Sequence, residues 1–94
     1  MHVLTLTADL HLPQARSLKM KRTVVKGIVE GARRRFGVAA AEVDHQDQWQ
    51  RAALGFAAVA STAHHATDLI DEVERFVWSH PEVEVLNTER RWLE

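Results

Sequence analysis

The chain has 94 residues, 46% of them hydrophobic and 27% charged, with a formal net charge of −1 and no cysteine. That is enough for one globular domain over residues 1–94 and too little for two, and a core of this size leaves a modest stability margin that an oligomer interface would supplement. The lack of cysteine excludes a disulfide framework and a thiolate zinc site, so the cytosol is the expected compartment.

The first residues alternate as Met1-His2-Val3-Leu4-Thr5-Leu6-Thr7, without the basic and continuously apolar segments of a secretory signal. No run approaches the roughly 18 consecutive apolar residues of a membrane span, and no membrane partner is expected. Residues 3 to 12 place Leu4, Leu6, Ala8, Leu10 and Leu12 on one face and Val3, Thr5, Thr7, Asp9 and His11 on the other, the pattern of a half-buried strand. Pro13 ends it. Ser17 then caps a helix that stops at Gly37, after the cationic turn Arg33-Arg34-Arg35 that suits the negative end of the helix dipole. On a 3.6-residue period Leu18, Val25, Ile28, Val29, Ala32 and Phe36 form its buried stripe, widened by Met20 and Val24.

Residues 38 to 43 and 49 to 60 read as two strands joined in an antiparallel hairpin. Ala52 to Ala60 has no polar residue on either alternate face, as in a strand covered on both sides. Thr62 caps a second helix with Ala66, Leu69, Ile70, Val73, Phe76 and Val77 inward and His64, Asp68, Asp71, Glu72 and Arg75 outward, stopped by His80-Pro81. A last strand switches parity between Val83/Val85 and Leu86/Trp92, which calls for a bulge near Asn87. The order β-α-β-β-α-β predicts an α+β, ferredoxin-like domain: a four-stranded antiparallel sheet with two helices on one face. The doubly apolar third strand further predicts that a second copy covers the helix-free face, making a homodimer.

Several segments together resemble one family of small bacterial proteins, the YlxP-like family. They are Leu10-His11-Leu12-Pro13, Ser17-Leu18-Lys19-Met20-Lys21-Arg22, Arg34-Arg35-Phe36, the string Ala41-Glu42-Val43-Asp44-His45-Gln46-Asp47-x-Trp49-Gln50-Arg51-Ala52-x-Leu54-Gly55, and Ser79-His80-Pro81. The resemblance implies a ferredoxin-like, cytoplasmic bacterial protein without an established activity. It also implies, through genes that lie beside those of translation initiation and ribosome maturation factors, work near RNA or the ribosome. Met20 departs from the family's usual acidic residue, which removes a capping-box contact.

Charge is unevenly distributed. From Arg16 to Phe36 eight Lys/Arg face Glu30 alone, whereas from Thr62 to Glu94 eight acidic residues face Arg75, Arg90 and Arg91. Lys19, Arg22, Lys26 and Arg33 fall in one narrow arc of the first helix beside the buried stripe, a basic ridge suited to phosphate contacts and so to RNA. The plainer alternative is a solvated face partly paired with the acidic second helix. Glu42, Asp44, His45 and Asp47 crowd ligand-type and ionisable side chains into one short segment with Trp49 and Arg51. Three readings stay open for Asp44, His45, Asp47, Trp49 and Arg51. One is a turn in which Asp44 and Asp47 cap backbone N–H groups and Arg51 pairs with a carboxylate. Another is a partner-binding surface with Trp49 stacking or anchoring. The third is a metal or acid–base site. His64 and Asp68, one turn apart, lack a third ligand nearby, no serine has an evident base, and no glycine-rich phosphate loop is present. The leading expectation is a non-enzymatic binding protein for RNA or a ribosomal particle with no catalytic residue, metal or cofactor. The alternatives are a small metal-dependent or acid–base enzyme centred on residues 42–51 and a protein-binding adaptor.

Overall fold

The alternation at the start of the chain becomes strand β1 (His2–His11), whose Leu4, Leu6, Ala8 and Leu10 are buried together with Leu12 just beyond it. A computed structural model describes residues 1–93. After β1 come α1 (Leu18–Phe36), β2 (Ala39–Asp44), β3 (Arg51–Ala60), α2 (Ala63–Trp78) and β4 (Glu84–Trp92). The sheet order is β2-β3-β1-β4 with every neighbouring pair antiparallel. Both helices pack on the face presented by Leu4, Leu6, Leu10, Leu54 and Phe56, the ferredoxin-like arrangement that the element order predicts. The described residues contain no helix long and apolar enough to cross a membrane.

The helix ends follow from local chemistry. Ser17 Oγ accepts from the Met20 N–H at 3.1 Å, and with methionine at 20 no acidic side chain returns the contact. At the other end of α1, Gly37 sits at φ 65° and donates its N–H to Arg33 O at 3.1 Å. Gly37→Ala puts a Cβ into the left-handed region and is expected to cost about 1 kcal/mol, read as a lower urea midpoint with unchanged m. Thr62 Oγ1 likewise accepts from the His65 N–H at 3.1 Å to open α2.

Ile28, Ile70, Val73 and Val77 bring the two apolar stripes onto the sheet, all of them almost fully buried. Leu69 and Phe76 are only half-buried, and Phe76 fits against the backbone of α1 at Gly31. Phe36 meets Phe76 edge-on at 5.6 Å between ring centroids.

Two bulges set the parity of the edge strands. Asp9 pairs with Asn87 but Leu10 with Val85, leaving Leu86 as the extra residue, so the parity switch expected near Asn87 is present. In β2, Glu42 pairs with Leu54 and Asp44 with Ala53, leaving Val43 extra. The hairpin strands run 39–44 and 51–60 rather than 38–43 and 49–60. Trp49 and Gln50 leave the strand because a turn closed by Gln48 N–H to His45 O occupies the connection and the Gln50 side chain is drawn to the Pro13 and Ala15 carbonyls. The helix-free side of β3 is graded: Ala53 is buried, Gly55 and Ala57 are half-buried, and Val59 is 62% exposed.

Candidate functional site

A lysine organises the cluster. Lys21 lies four residues before Val25 and seven before Ile28, so helical geometry sends it inward with them, and its side chain is fully buried. The ammonium forms an ion pair with Glu42 Oε2 at 2.8 Å and donates to His45 O at 2.6 Å and Gln46 O at 3.4 Å. Burying an ammonium is costly unless it is paired. Here the pairing fastens the first turns of α1 to the β2–β3 connection. Gln50 makes a second tie, donating to Pro13 O and Ala15 O at 3.2 Å each.

The connection itself is a tight turn. His45 has φ 64°, an unusual left-handed conformation for a residue with a Cβ, held by its own N–H donating to Asp44 Oδ1 at 2.7 Å and its carbonyl accepting from Gln48 N–H at 3.0 Å. Asp44 therefore caps the turn as one reading expected. Asp47 does not: among the described residues its side chain has no hydrogen-bond partner, the His45 and Gln48 N–H groups going to Asp44 and to the His45 carbonyl. Arg51 does pair with a carboxylate, but with Asp9 on β1, Nη2 to Oδ1 at 3.8 Å, and not with one in the hairpin. The same Asp9 oxygen lies 3.7 Å from His45 Nε2. Asp9 thus joins His45 and Arg51 across three segments, and His11 adds an ion pair to Glu84 Oε1 at 3.2 Å when protonated. Trp49 is 55% exposed beside His11, Gln48, Gln50 and Arg51, which together line a shallow groove. Among the described residues no three His, Asp or Glu side chains gather to hold a metal ion.

The basic ridge is brought to the surface in all four of its members, three of them with side chains free of protein partners among the described residues. Lys19, Arg22 and Lys26 are exposed and, among the described residues, have no acidic partner. Arg33 also lies on this side but its Nη2 donates to Ala40 O on the outer strand β2. Gly31 and Arg35, about 200° from Arg33 around the helix, touch Phe76 of α2 instead, the Arg35 guanidinium 5.2 Å from the ring centroid. The ridge therefore faces the β2 side, away from α2. The partial pairing with the acidic second helix that the plainer alternative allowed is absent among the described residues, although the face is solvated as that alternative has it. Two acids of α2 are served from elsewhere: Arg90 of β4 bonds Asp71 at 2.8 Å and Glu74 at 3.0 Å. Burial alone would lower the Arg90 pKa, but the hydrogen bonds to Asp71 and Glu74 outweigh it and raise it above the usual value, so the cation is permanent. His64 and Asp68 form an exposed i,i+4 pair at 3.3 Å.

The site thus contains residues that composition and spacing alone did not single out. Lys21 was hidden among seven other cations of its segment, although its place in the apolar arc was a signal. Asp9, His11 and Gln50 enter only through the cross-strand register, which pairs His11 with Arg51 and sets Asp9 one step along the same face.

Comparisons with known proteins agree with this picture of the fold and with the resemblance carried by the sequence. Over 78 residues the chain is 38% identical to the uncharacterized protein YlxP of Bacillus subtilis (strain 168), covering 83% of this chain and 85% of that one. Among solved structures, a de novo designed protein with ferredoxin fold, determined by solution NMR, is similar with a TM-score of 0.58 over 100% of this chain and 87% of its own, at 12% identity, a likeness of fold alone. Residues 3–90 match the model of a protein family of unknown function, DUF503. With nearly the whole chain inside that match and the Bacillus relative beside it, the chain belongs to the DUF503 family of YlxP-like proteins.

Proposed function

We propose that the protein is a non-enzymatic cytoplasmic binding protein that associates with RNA or a ribosomal particle through the α1 ridge, assisted by the hairpin cluster, and that it works as a homodimer paired through the helix-free sheet face. One observation carries the reading of the ridge. Lys19, Arg22 and Lys26 stay exposed and unpaired among the described residues, while two of the α2 acids, Asp71 and Glu74, are held by Arg90 of β4. These cations span about 10 Å of helix, a spacing that serves contacts to successive phosphates and needs no base-reading geometry. Lys21 keeps the hairpin against the same end of α1, so that Trp49 is available to stack on a base next to the ridge.

The test replaces Lys19, Arg22 and Lys26 together by Gln and leaves Arg33 in place, since Arg33 also serves the backbone of β2. Binding to total cellular RNA and to purified ribosomal particles is measured at several salt concentrations. The triple variant is expected to bind at least tenfold more weakly at low salt, with a salt slope reduced by up to about three units, while the thermal midpoint stays close to that of the wild type. Unchanged binding at low salt would remove the reading. A second reading, a protein-binding adaptor, is favoured by the exposure of Trp49 above its groove. It is distinguished by salt-insensitive binding that Trp49→Ala abolishes and the triple variant does not.

A further inference from the structure

The cross-strand registers define two adjacent rows running across all four strands. One is Ala39, Ala57, Thr5 and Arg91; the next is Ala41, Gly55, Thr7 and Glu89. Directly opposed residues of an antiparallel sheet share a face, and because Leu4 and Leu6 point to the helices, both rows point away from them. Each row has small residues on β2 and β3, a threonine on β1 and a charge on β4, the two charges are opposite, and the bulged Val43 lies across Gly55 in the second row. Arg90, between them in sequence, turns to the helix side and binds Asp71 and Glu74. Among the described residues neither Glu89 nor Arg91 has an ion-pair partner.

We propose that this face packs on a second copy of the same chain about a two-fold axis that lies between the sheets, perpendicular to the strands, and passes between the two rows. Such a rotation reverses strand direction but keeps β2 over β2 and β4 over β4. Each row then faces the other row of the second copy. Ala39 lies over the partner's Ala41, Ala57 over the partner's Gly55, Thr5 over the partner's Thr7, and Arg91 over the partner's Glu89. Apolar meets apolar, with Val43 across Gly55 facing the partner copy, and positive meets negative, twice. A two-fold axis parallel to the strands would instead set β4 over β2, desolvating Arg91 and Glu89 against alanines. Four strands about 4.8 Å apart and about eight residues long make a face of roughly 500 Å². Two such faces total about 1,000 Å², near the lower bound of specific interfaces, so the pairing is expected at micromolar concentrations.

The chosen axis has a consequence for the ridge. It leaves both α1 helices beside the same edge of the dimer, on its two outer layers, so their cations flank that edge from both sides of the paired sheets. That consequence rests on the phosphate reading above; the pairing itself does not.

Sedimentation equilibrium of the whole chain from about 1 to about 200 µM tests the pairing over the range its area implies. The wild type is expected to reach twice the chain mass of 10.7 kDa. Ala41→Arg, an exposed position in the single chain, is expected to remain monomeric. Arg91→Glu sets like charges against each other and is expected to weaken the dimer at least tenfold, whereas the exchange E89R/R91E restores it to within about threefold. Circular dichroism checks that each variant is folded. A wild type that stays monomeric throughout, or an Ala41→Arg chain that dimerises like the wild type, overturns the interface; a charge exchange that fails to restore pairing overturns the axis. The triple Lys19, Arg22 and Lys26 variant should keep the dimer mass while losing RNA, so failure of either idea is read separately.

Discussion

Replacing Lys21 by Met is expected to lower the stability of the domain by about 3 kcal/mol, the lower end of the cost of breaking a buried ion pair from one side. Met keeps most of the aliphatic stem's packing, so the loss isolates the ammonium. Its removal leaves Glu42, whose side chain is only 18% exposed, without its cation, and takes one donor from each of the His45 and Gln46 carbonyls, the former keeping the Gln48 N–H. For a domain of this length the thermal midpoint should fall by roughly 12–24 °C. The double variant K21M/E42L should regain much of that loss, because an apolar pair in place of a buried ion pair is often neutral. Hydrogen exchange at the Gln48 amide, which donates to His45 O, should accelerate in the single variant beyond the change expected from global stability. A loss below about 1 kcal/mol would mean that the ammonium does not hold the hairpin to α1.

Gly31→Val is expected to cost about 2 kcal/mol, the next largest effect. A Cβ at this position would lie 2.6 Å from Phe76 Cζ. The ring cannot simply swing away: Phe36 stands edge-on to it at 5.6 Å and His80 at 4.7 Å, with Arg35 over its face. Relief therefore requires α1 and α2 to separate, loosening Ile28 and Val77 beneath them. Gly27→Ala is the control of opposite sign. No atom lies within 4 Å of an added Cβ there, the residue is exposed, and the better helix propensity should add about 0.5–1 kcal/mol. Chemical denaturation of the two variants side by side checks both directions, and equal effects would refute the close helix approach.

The fold was legible because its signals are local and agree with one another. Alternation in residues 3 to 12, Ser17 and Thr62 as caps and Gly37 as a stop each specify a boundary within a few residues, and the tertiary contacts contradict none of them. The hairpin ends moved because turn bonding at His45 and Gln48 is decided by a positive φ that no residue type there demands. The site was legible only in part. The segment 44–51 announced itself by composition, but its carboxylate partner, Asp9, is set by the unbroken register across β1 and β3, a long-range pairing that no local residue type specifies. Lys21 was masked differently. Among cations on a basic helix its charge looks like solvent-facing charge, and only its coincidence with the apolar arc marks it as buried. The alternative pairing of the ridge with α2 is absent among the described residues for a related reason: sequence supplies the sign of two helical faces but not which way they turn, and the contacts of Gly31 and Arg35 with Phe76 fix that turn.

The central position of β1 has a kinetic consequence. Its two neighbours are β3 and β4, and the bond from Thr5 Oγ1 to Arg91 O spans 86 residues of chain. Long loops must close before either ladder can reward them, so the rate of folding is governed by distant strand pairing and not by the helices, which form quickly but find no sheet to pack on. The β2–β3 hairpin can assemble alone from local contacts. Until β1 arrives, β3 presents an unpaired edge rich in alanine, leucine, phenylalanine and valine, and during that interval the chain is most exposed to pairing with the wrong strand.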